Sequence, residues 1–238
     1  MRESYMLNGL YFRRVRNFWI VYHDAKKCSA NYGLYCNAGF FANFKNNKGK
    51  IFTLPVANLV CDPWQIPVEG RDEVMKHWIN GKLRFSADDP HTTQFRGHWV
   101  STLVIGKDGK PSVKRLFKAP DDCQYAISGI PCVSKGQPVD MEDVLLEGWD
   151  WSPMYGTMRN WIGLRNGEIW LINGSTKTAN YLIPDKKTGQ IEFWEKVRSE
   201  GFSDILALDG GGSAFFSDQN GVKKTWENRR INNVLVFS

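Results

Sequence analysis

The residues of this chain best suited to chemistry stand together in Asp209-Gly210-Gly211-Gly212-Ser213, where a carboxylate and a hydroxyl bracket three consecutive glycines. The apolar run 205–208 leads into them, so a buried strand is expected to end on a charge. Three adjacent glycines lose more backbone entropy on folding than any other tripeptide, and a folded chain keeps them where side chains would obstruct a close approach or where φ must be positive. Asp209, the free N–H groups of Gly210, Gly211 and Gly212, and Ser213 would then surround one concavity able to hold an anion or a sugar. The alternative is a glycine turn that only reverses the chain, although a hairpin needs just one or two such residues.

Other reactive side chains form no comparable pattern. The five cysteines, Cys28, Cys36, Cys61, Cys123 and Cys132, are odd in number and contain no C-x-x-C pair, so free thiols are expected. His23, His77, His91 and His98 are not at metal-ligand spacing, and no metal site is assigned from sequence. Asp209 could ligate Ca²⁺ or Mg²⁺ with other oxygens, but no acidic loop of calcium type accompanies it. Ten tryptophans are either core mass or flat platforms for a ligand. Trp149 and Trp151, in a segment with Pro153 and Gly156, are candidates for a substrate wall or for packing at a loop base.

These groups must be positioned by strands. Aromatic and β-branched residues over 11–22 predict an opening strand and 34–41 a second, while 71–79 has helical spacing with Gly81 as its left-handed cap. Asp108-Gly109 and Asn166-Gly167 each sit between apolar runs and predict hairpins. Asp140 is placed to cap a short helix through Glu147, with Asp143 completing an imperfect capping box. A helix over 191–200, stopped by Gly201, precedes the strand 205–208, and 231–237 closes the chain as another strand. The expected fold is α+β, one domain over residues 1–238, with a mixed, hairpin-rich sheet and a few helices packed outside.

At 238 residues, 42% hydrophobic and 13% aromatic, the chain can fill a core and is excluded from the disordered class. Its formal charge of +6 is spread out. Arg13, Arg14 and Arg16, and the lysines between Lys45 and Lys50, come near to clustering and read as solvated faces, since no nucleic-acid motif accompanies them. The first residues lack a secretory core and cleavage site, and no apolar run reaches membrane-span length, so a soluble, cytoplasmic protein is expected.

Five blocks in order resemble the phosphodiester glycosidase family. They are Asn37-Ala38-Gly39-Phe40-Phe41, the strand-turn-strand 103–113, Ser128-Gly129-Ile130-Pro131-Cys132-Val133, the strand and hairpin 159–172, and Leu208-Asp209-Gly210-Gly211-Gly212-Ser213 with Arg229, Ile231 and Asn233-Val234-Leu235. The blocks run from about residue 37 to the C-terminus. The chain departs from the family pattern in Ala214-Phe215-Phe216 after the serine and in the residues flanking Arg159 and Arg229.

The resemblance implies a hydrolase that cleaves a sugar-1-phosphodiester at the anomeric carbon–oxygen bond, giving free sugar and a phosphomonoester. A phosphate already carries negative charge well, so the site needs less acid assistance than a glycosidase for ordinary glycosides and more charge stabilisation. Asp209 would serve as electrostatic partner, nucleophile or water-activating base, and Ser213 with the glycines would bind oxygens. Arg159 and Arg229 would clamp phosphate through the guanidinium fork, the alternative being ion pairs or carbonyl struts. Asn37 and Asn233 would orient substrate or fix loops, with Gly39 and Phe40 beside them. The expected ligand is a small or polysaccharide-linked sugar phosphodiester, not nucleic acid. Two further readings use the same pocket, a non-catalytic module binding sugar phosphates or nucleotide sugars and a hydrolase of a nucleotide-derived phosphodiester.

Overall fold

The computed structural model describes residues 3–25, 34–149, 159–174, 193–210, 213–218, 221–225 and 231–237. Strands dominate it. A seven-stranded sheet runs in the spatial order Ser4–Leu7, Leu10–Val15, Glu168–Gly174, Arg159–Arg165, Asp204–Gly210, Ile130–Ser134, Gln137–Pro138. A second, eleven-stranded sheet runs Pro111–Leu116, Val100–Ile105, Tyr125–Ser128, Leu59–Gln65, Phe18–Ala25, Ile231–Phe237, Leu34–Asn37, Phe215–Asp218, Gly221–Thr225, with Lys82–Phe85 and Trp78–Ile79 branching from Leu59–Gln65. Phe18–Ala25 and Leu59–Gln65 pair in parallel, so this sheet is mixed. Phe41–Lys45 and Ile51–Pro55 form a separate hairpin. No helix among the described residues is long and apolar enough to cross a membrane.

Both predicted hairpins form, Val100–Ile105 with Pro111–Leu116 and Arg159–Arg165 with Glu168–Gly174. Asn166 and Gly167 take φ of 52° and 74°, the left-handed pair that a two-residue hairpin turn requires. The helix expected over 71–79 is corrected: only Arg71–Met75 is helical, and Trp78–Ile79 pairs with Lys82–Phe85. Asn80 and Gly81, at φ of 50° and 79°, are the turn of that hairpin and not a helix cap. An Asn-Gly dipeptide flanked by β-favouring side chains outweighs a short helical periodicity. The single strand expected over 11–22 also divides, at Arg16-Asn17, and its halves join different sheets. Met141–Leu146 is helical behind Asp140, whose side chain makes no capping bond. Residues 193–197 are helical and Gly201 follows in the left-handed conformation, whereas 191–192 lie outside the described residues.

The core explains the runs that are apolar at every position. Ile162, Leu164, Leu171, Leu206 and Leu208 face a buried cluster shared with Ile20, Tyr22, Leu103, Ile127, Leu235 and Phe237 of the other sheet. Their alternates Trp161, Trp170, Ile172, Ile205 and Ala207 face outward under Val144, Phe193, Val197 and Phe202, from the helical segments and the loop after them. A strand covered on both faces loses polar alternation, because successive side chains point to opposite, equally dry sides. The chain passes between the sheets at Gly129, where a Cβ would stand 2.6 Å from the Ala207 carbonyl oxygen. It passes again between Asp204–Gly210 and Phe215–Asp218, so Gly210 ends a strand of one sheet shortly before the chain enters the other.

Candidate active site

Asp209 and Gly210 end the Asp204–Gly210 strand, and the Leu34–Asn37 strand of the opposite sheet brings Asn37 against them. Asn37 Nδ2 donates to the Asp209 carbonyl at 2.6 Å, while the Asp209 N–H donates to the Ala38 carbonyl at 3.1 Å. Asn37 Oδ1 accepts from the Phe215 N–H at 3.1 Å and from Asn160 Nδ2 at 2.8 Å. Asn160 Nδ2 donates also to the Phe215 carbonyl at 2.8 Å, and Asn160 Oδ1 accepts from Asn173 Nδ2 at 2.7 Å. A chain of amides thus joins the two sheets at Asp209 and Phe215.

Asn160 and Asn173 were not singled out by sequence reasoning, yet the signal is present. The inward face of Arg159–Arg165 reads Leu164, Ile162, Asn160, and that of Glu168–Gly174 reads Ile169, Leu171, Asn173. At the same end of both strands the period-2 apolar pattern gives way to an amide, which is where the inter-sheet core meets the chain crossing. Buried amides are tolerated because each finds partners.

Asn233 fixes the neighbouring loop. Its backbone carbonyl accepts from the Ala38 N–H at 3.1 Å, its Oδ1 accepts from the Gly39 N–H, and its Nδ2 donates to the Gly39 carbonyl at 3.4 Å. Asn37 and Asn233, both essentially inaccessible, therefore stand in loop-fixing geometry, with their amide groups engaged inside the protein. Phe40 rests its ring on Trp149 at 4.8 Å. Trp149 is itself buried, packs on Phe95 and donates its indole N–H to Glu147 at 3.3 Å, so it is core mass and not a substrate wall. Ser213 is buried. Gly211, Gly212, Arg229 and Trp151 lie outside the described residues, as does Cys28.

The charge at the strand end is unusual. Arg159 is only 2% exposed, and its Nη1 donates to the Leu208 carbonyl at 2.9 Å, the geometry of a carbonyl strut. Its Nε has no hydrogen-bond partner among the described residues. Burial lowers the Arg159 pKa, and the nearby Asp209 carboxylate opposes that effect by favouring the cation. The half-buried Asp209 Oδ1 accepts from the Gly210 N–H at 2.8 Å, which aims the carboxylate along the strand end. Cys132, beside Arg159, is pushed up to about 12 by burial and is a protonated thiol, not a nucleophile.

Gly210 makes this packing feasible. A Cβ there would stand 2.9 Å from Arg159 Cζ and 3.0 Å from Nη2. Since the guanidinium is enclosed and bonded to Leu208, Gly210→Ala is expected to destabilise the protein by about 1–3 kcal/mol. In an Arg159→Met background, the same substitution is expected to cost well under half as much. Chemical denaturation of the four variants measures this coupling, and equal costs in both backgrounds would place the strain elsewhere.

The whole is a β-rich, two-sheet fold whose candidate site sits at a crossing between the sheets. No family model matches the chain, and comparison with curated proteins found no match. Among solved structures it is similar to the catalytic domain of zebrafish N-acetylglucosamine-1-phosphodiester alpha-N-acetylglucosaminidase, auto-inhibited by its pro-peptide, at 16% identity over 92% of this chain and 88% of that one, with a TM-score of 0.46. It is also similar to a hypothetical protein from Synechocystis, at 12% identity over 98% of this chain and 61% of that one, with a TM-score of 0.45.

Proposed function

We propose that the protein is a hydrolase that cleaves a sugar-1-phosphodiester at the bond between the anomeric carbon and the phosphate oxygen. One observation carries the reading: a carboxylate, a residue without a side chain and a buried guanidinium converge where a central strand ends, on a frame of amides that ties both sheets to it. Such a site has a fixed anion, Asp209, to stabilise an oxocarbenium-like centre or to orient water, while the missing side chain at Gly210 leaves the room that the Arg159 guanidinium occupies beside it. The buried charge of Arg159 raises the local positive potential for a departing phosphate without touching it. Water adds to the anomeric carbon as the carbon–oxygen bond breaks, and the phosphate leaves as a monoester. The ordered blocks from Asn37 to Asn233 that resemble phosphodiester glycosidases support the same reaction.

The test is product analysis on a panel of sugar-1-phosphodiesters and nucleotide sugars, with and without chelator. Free reducing sugar and phosphomonoester in equal amounts are expected. Saturable binding with no product would make the protein a binding module instead. Turnover confined to nucleotide-derived diesters would move the substrate class.

A further inference from the structure

A second group of reactive side chains lies beside the Phe41–Lys45 and Ile51–Pro55 hairpin. His77, Asp89 and His91 each present a ligand atom within 4.8 Å of the other two, and all three residues are half-buried. Their separation along the chain follows no metal-ligand motif; the fold assembles them. His77 follows the Arg71–Met75 helix, its N–H donating to the Val74 carbonyl at 3.1 Å. Asp89 belongs to the tight turn after Lys82–Phe85, with Asp89 N–H donating to the Ser86 carbonyl at 3.1 Å. The Ser86 N–H donates back to Asp89 Oδ2 at 2.7 Å and orients the carboxylate.

The donor set is poised for coordination. His91 Nε2 lies 2.8 Å from the Pro55 carbonyl oxygen. A carbonyl can only accept, so Nε2 carries the hydrogen and, in the neutral ring, Nδ1 carries the lone pair. This is the outer-shell bond that typically sets the orientation of a metal-binding histidine. His77 Nδ1 stands 3.4 Å from Asp89 Oδ2. The ligand–ligand edge of a tetrahedron built on bonds of about 2.1 Å is roughly 3.4 Å. The rings are also held: His77 stacks on Phe85 at 4.4 Å, and His91 stands edge-on to Phe44 at 5.7 Å.

We propose that His77, Asp89 and His91 form a binding site for a divalent transition-metal ion of the zinc class. Two imidazoles and one carboxylate suit such an ion and not Ca²⁺ or Mg²⁺, which take oxygen donors. Three protein ligands leave a position open. His77 and His91 line a groove of about 910 Å³ whose wall carries Lys45, Lys48, Lys50 and Lys76 together with Glu69, Asp72 and Glu73, Lys76 being paired with Glu73, so water in this polar groove can serve as the fourth donor. This site stands independently of the phosphodiester reading.

The test is a Co²⁺ titration of the full chain in a non-chelating reductant, followed by displacement with Zn²⁺. One equivalent of Co²⁺ should give visible d–d bands with no near-ultraviolet thiolate charge transfer. His91→Gln and Asp89→Asn should each weaken binding by at least about tenfold. If either variant fails to fold, imidazole ¹⁵N spectra of the wild type decide: Zn²⁺ should shift His77 and His91 and leave His23 and His98 in place. Thiolate bands, no saturable Co²⁺ binding, unchanged affinity in both folded variants, or shifts confined to His23 and His98 would each overturn the proposal.

Discussion

Asp209→Asn is expected to lower turnover of a sugar-1-phosphodiester by roughly a hundredfold or more while leaving a folded chain. The asparagine keeps the shape of the side chain, and its Oδ1 can still accept the Gly210 N–H that Asp209 Oδ1 accepts at 2.8 Å. The backbone bonds to Ala38 and Asn37 do not involve the carboxylate, so the strand end stays in register. What disappears is the negative charge. An amide cannot balance an oxocarbenium-like centre or take a proton from water, and the loss should fall on kcat with KM little changed.

The same substitution carries a second, separable consequence. Arg159 is fully enclosed, and the Asp209 carboxylate favours its charged form. Removing one charge near a buried opposite charge leaves the survivor uncompensated, a cost reduced here because Asp209 is itself half-exposed. A stability loss of about 1–3 kcal/mol is expected, and Arg159→Met in the Asp209→Asn background should recover part of it without restoring turnover. Denaturation and steady-state kinetics on the single and double variants separate the two effects. Turnover within a few-fold of wild type in the folded Asn variant would remove Asp209 from the mechanism.

How much of this could be read from sequence depends on the range of the signal. Turns governed by two residues were legible: Asp108-Gly109 and Asn166-Gly167 make the hairpins expected of them, because left-handed φ is a local demand. The strand that ends on Asp209 was legible from its unbroken apolar run. The misread helix over 71–79 shows the limit, since a short apolar spacing fits both a helical face and strand residues beside a turn. The division of 11–22 between two sheets depends on which partners each half finds, information carried by residues far away. The same holds for the sites. Asp209 and Gly210 announce themselves as neighbours in the chain, whereas His77, Asp89 and His91 converge only after a helix, a hairpin and a turn have formed. Asn37 and Asn233 were visible as candidates, but their bonding partners come from the opposite sheet and an adjacent loop.

Asn160 is the residue on which that frame depends most, and Asn160→Leu is expected to cost about 2–4 kcal/mol of stability. The leucine matches asparagine in branching and heavy-atom count, although its methyl groups make it bulkier, and it would extend the apolar face already formed by Ile162 and Leu164, so packing alone predicts an apolar gain partly offset by crowding. Against it stands the removal of three hydrogen bonds at a position with no solvent exposure, two donated to Asn37 and Phe215 and one accepted from Asn173. At roughly 1 kcal/mol per bond, with more where a buried group loses its donor, the polar loss exceeds the apolar gain. Asn173→Leu should cost less, because Asn173 is half-exposed and water can take its place beside Asn160. The functional consequence follows from the same geometry. With Asn37 released from Asn160, the Asp209 carbonyl loses a fixed partner, and misplacement of the carboxylate should reduce kcat by about tenfold or more even in the molecules that remain folded. Denaturant titration, with kinetics corrected for the folded fraction, tests both parts. A cost below about 0.5 kcal/mol would mean that the amides merely tolerate one another, and a loss of stability with kcat intact would confine Asn160 to holding the sheets together.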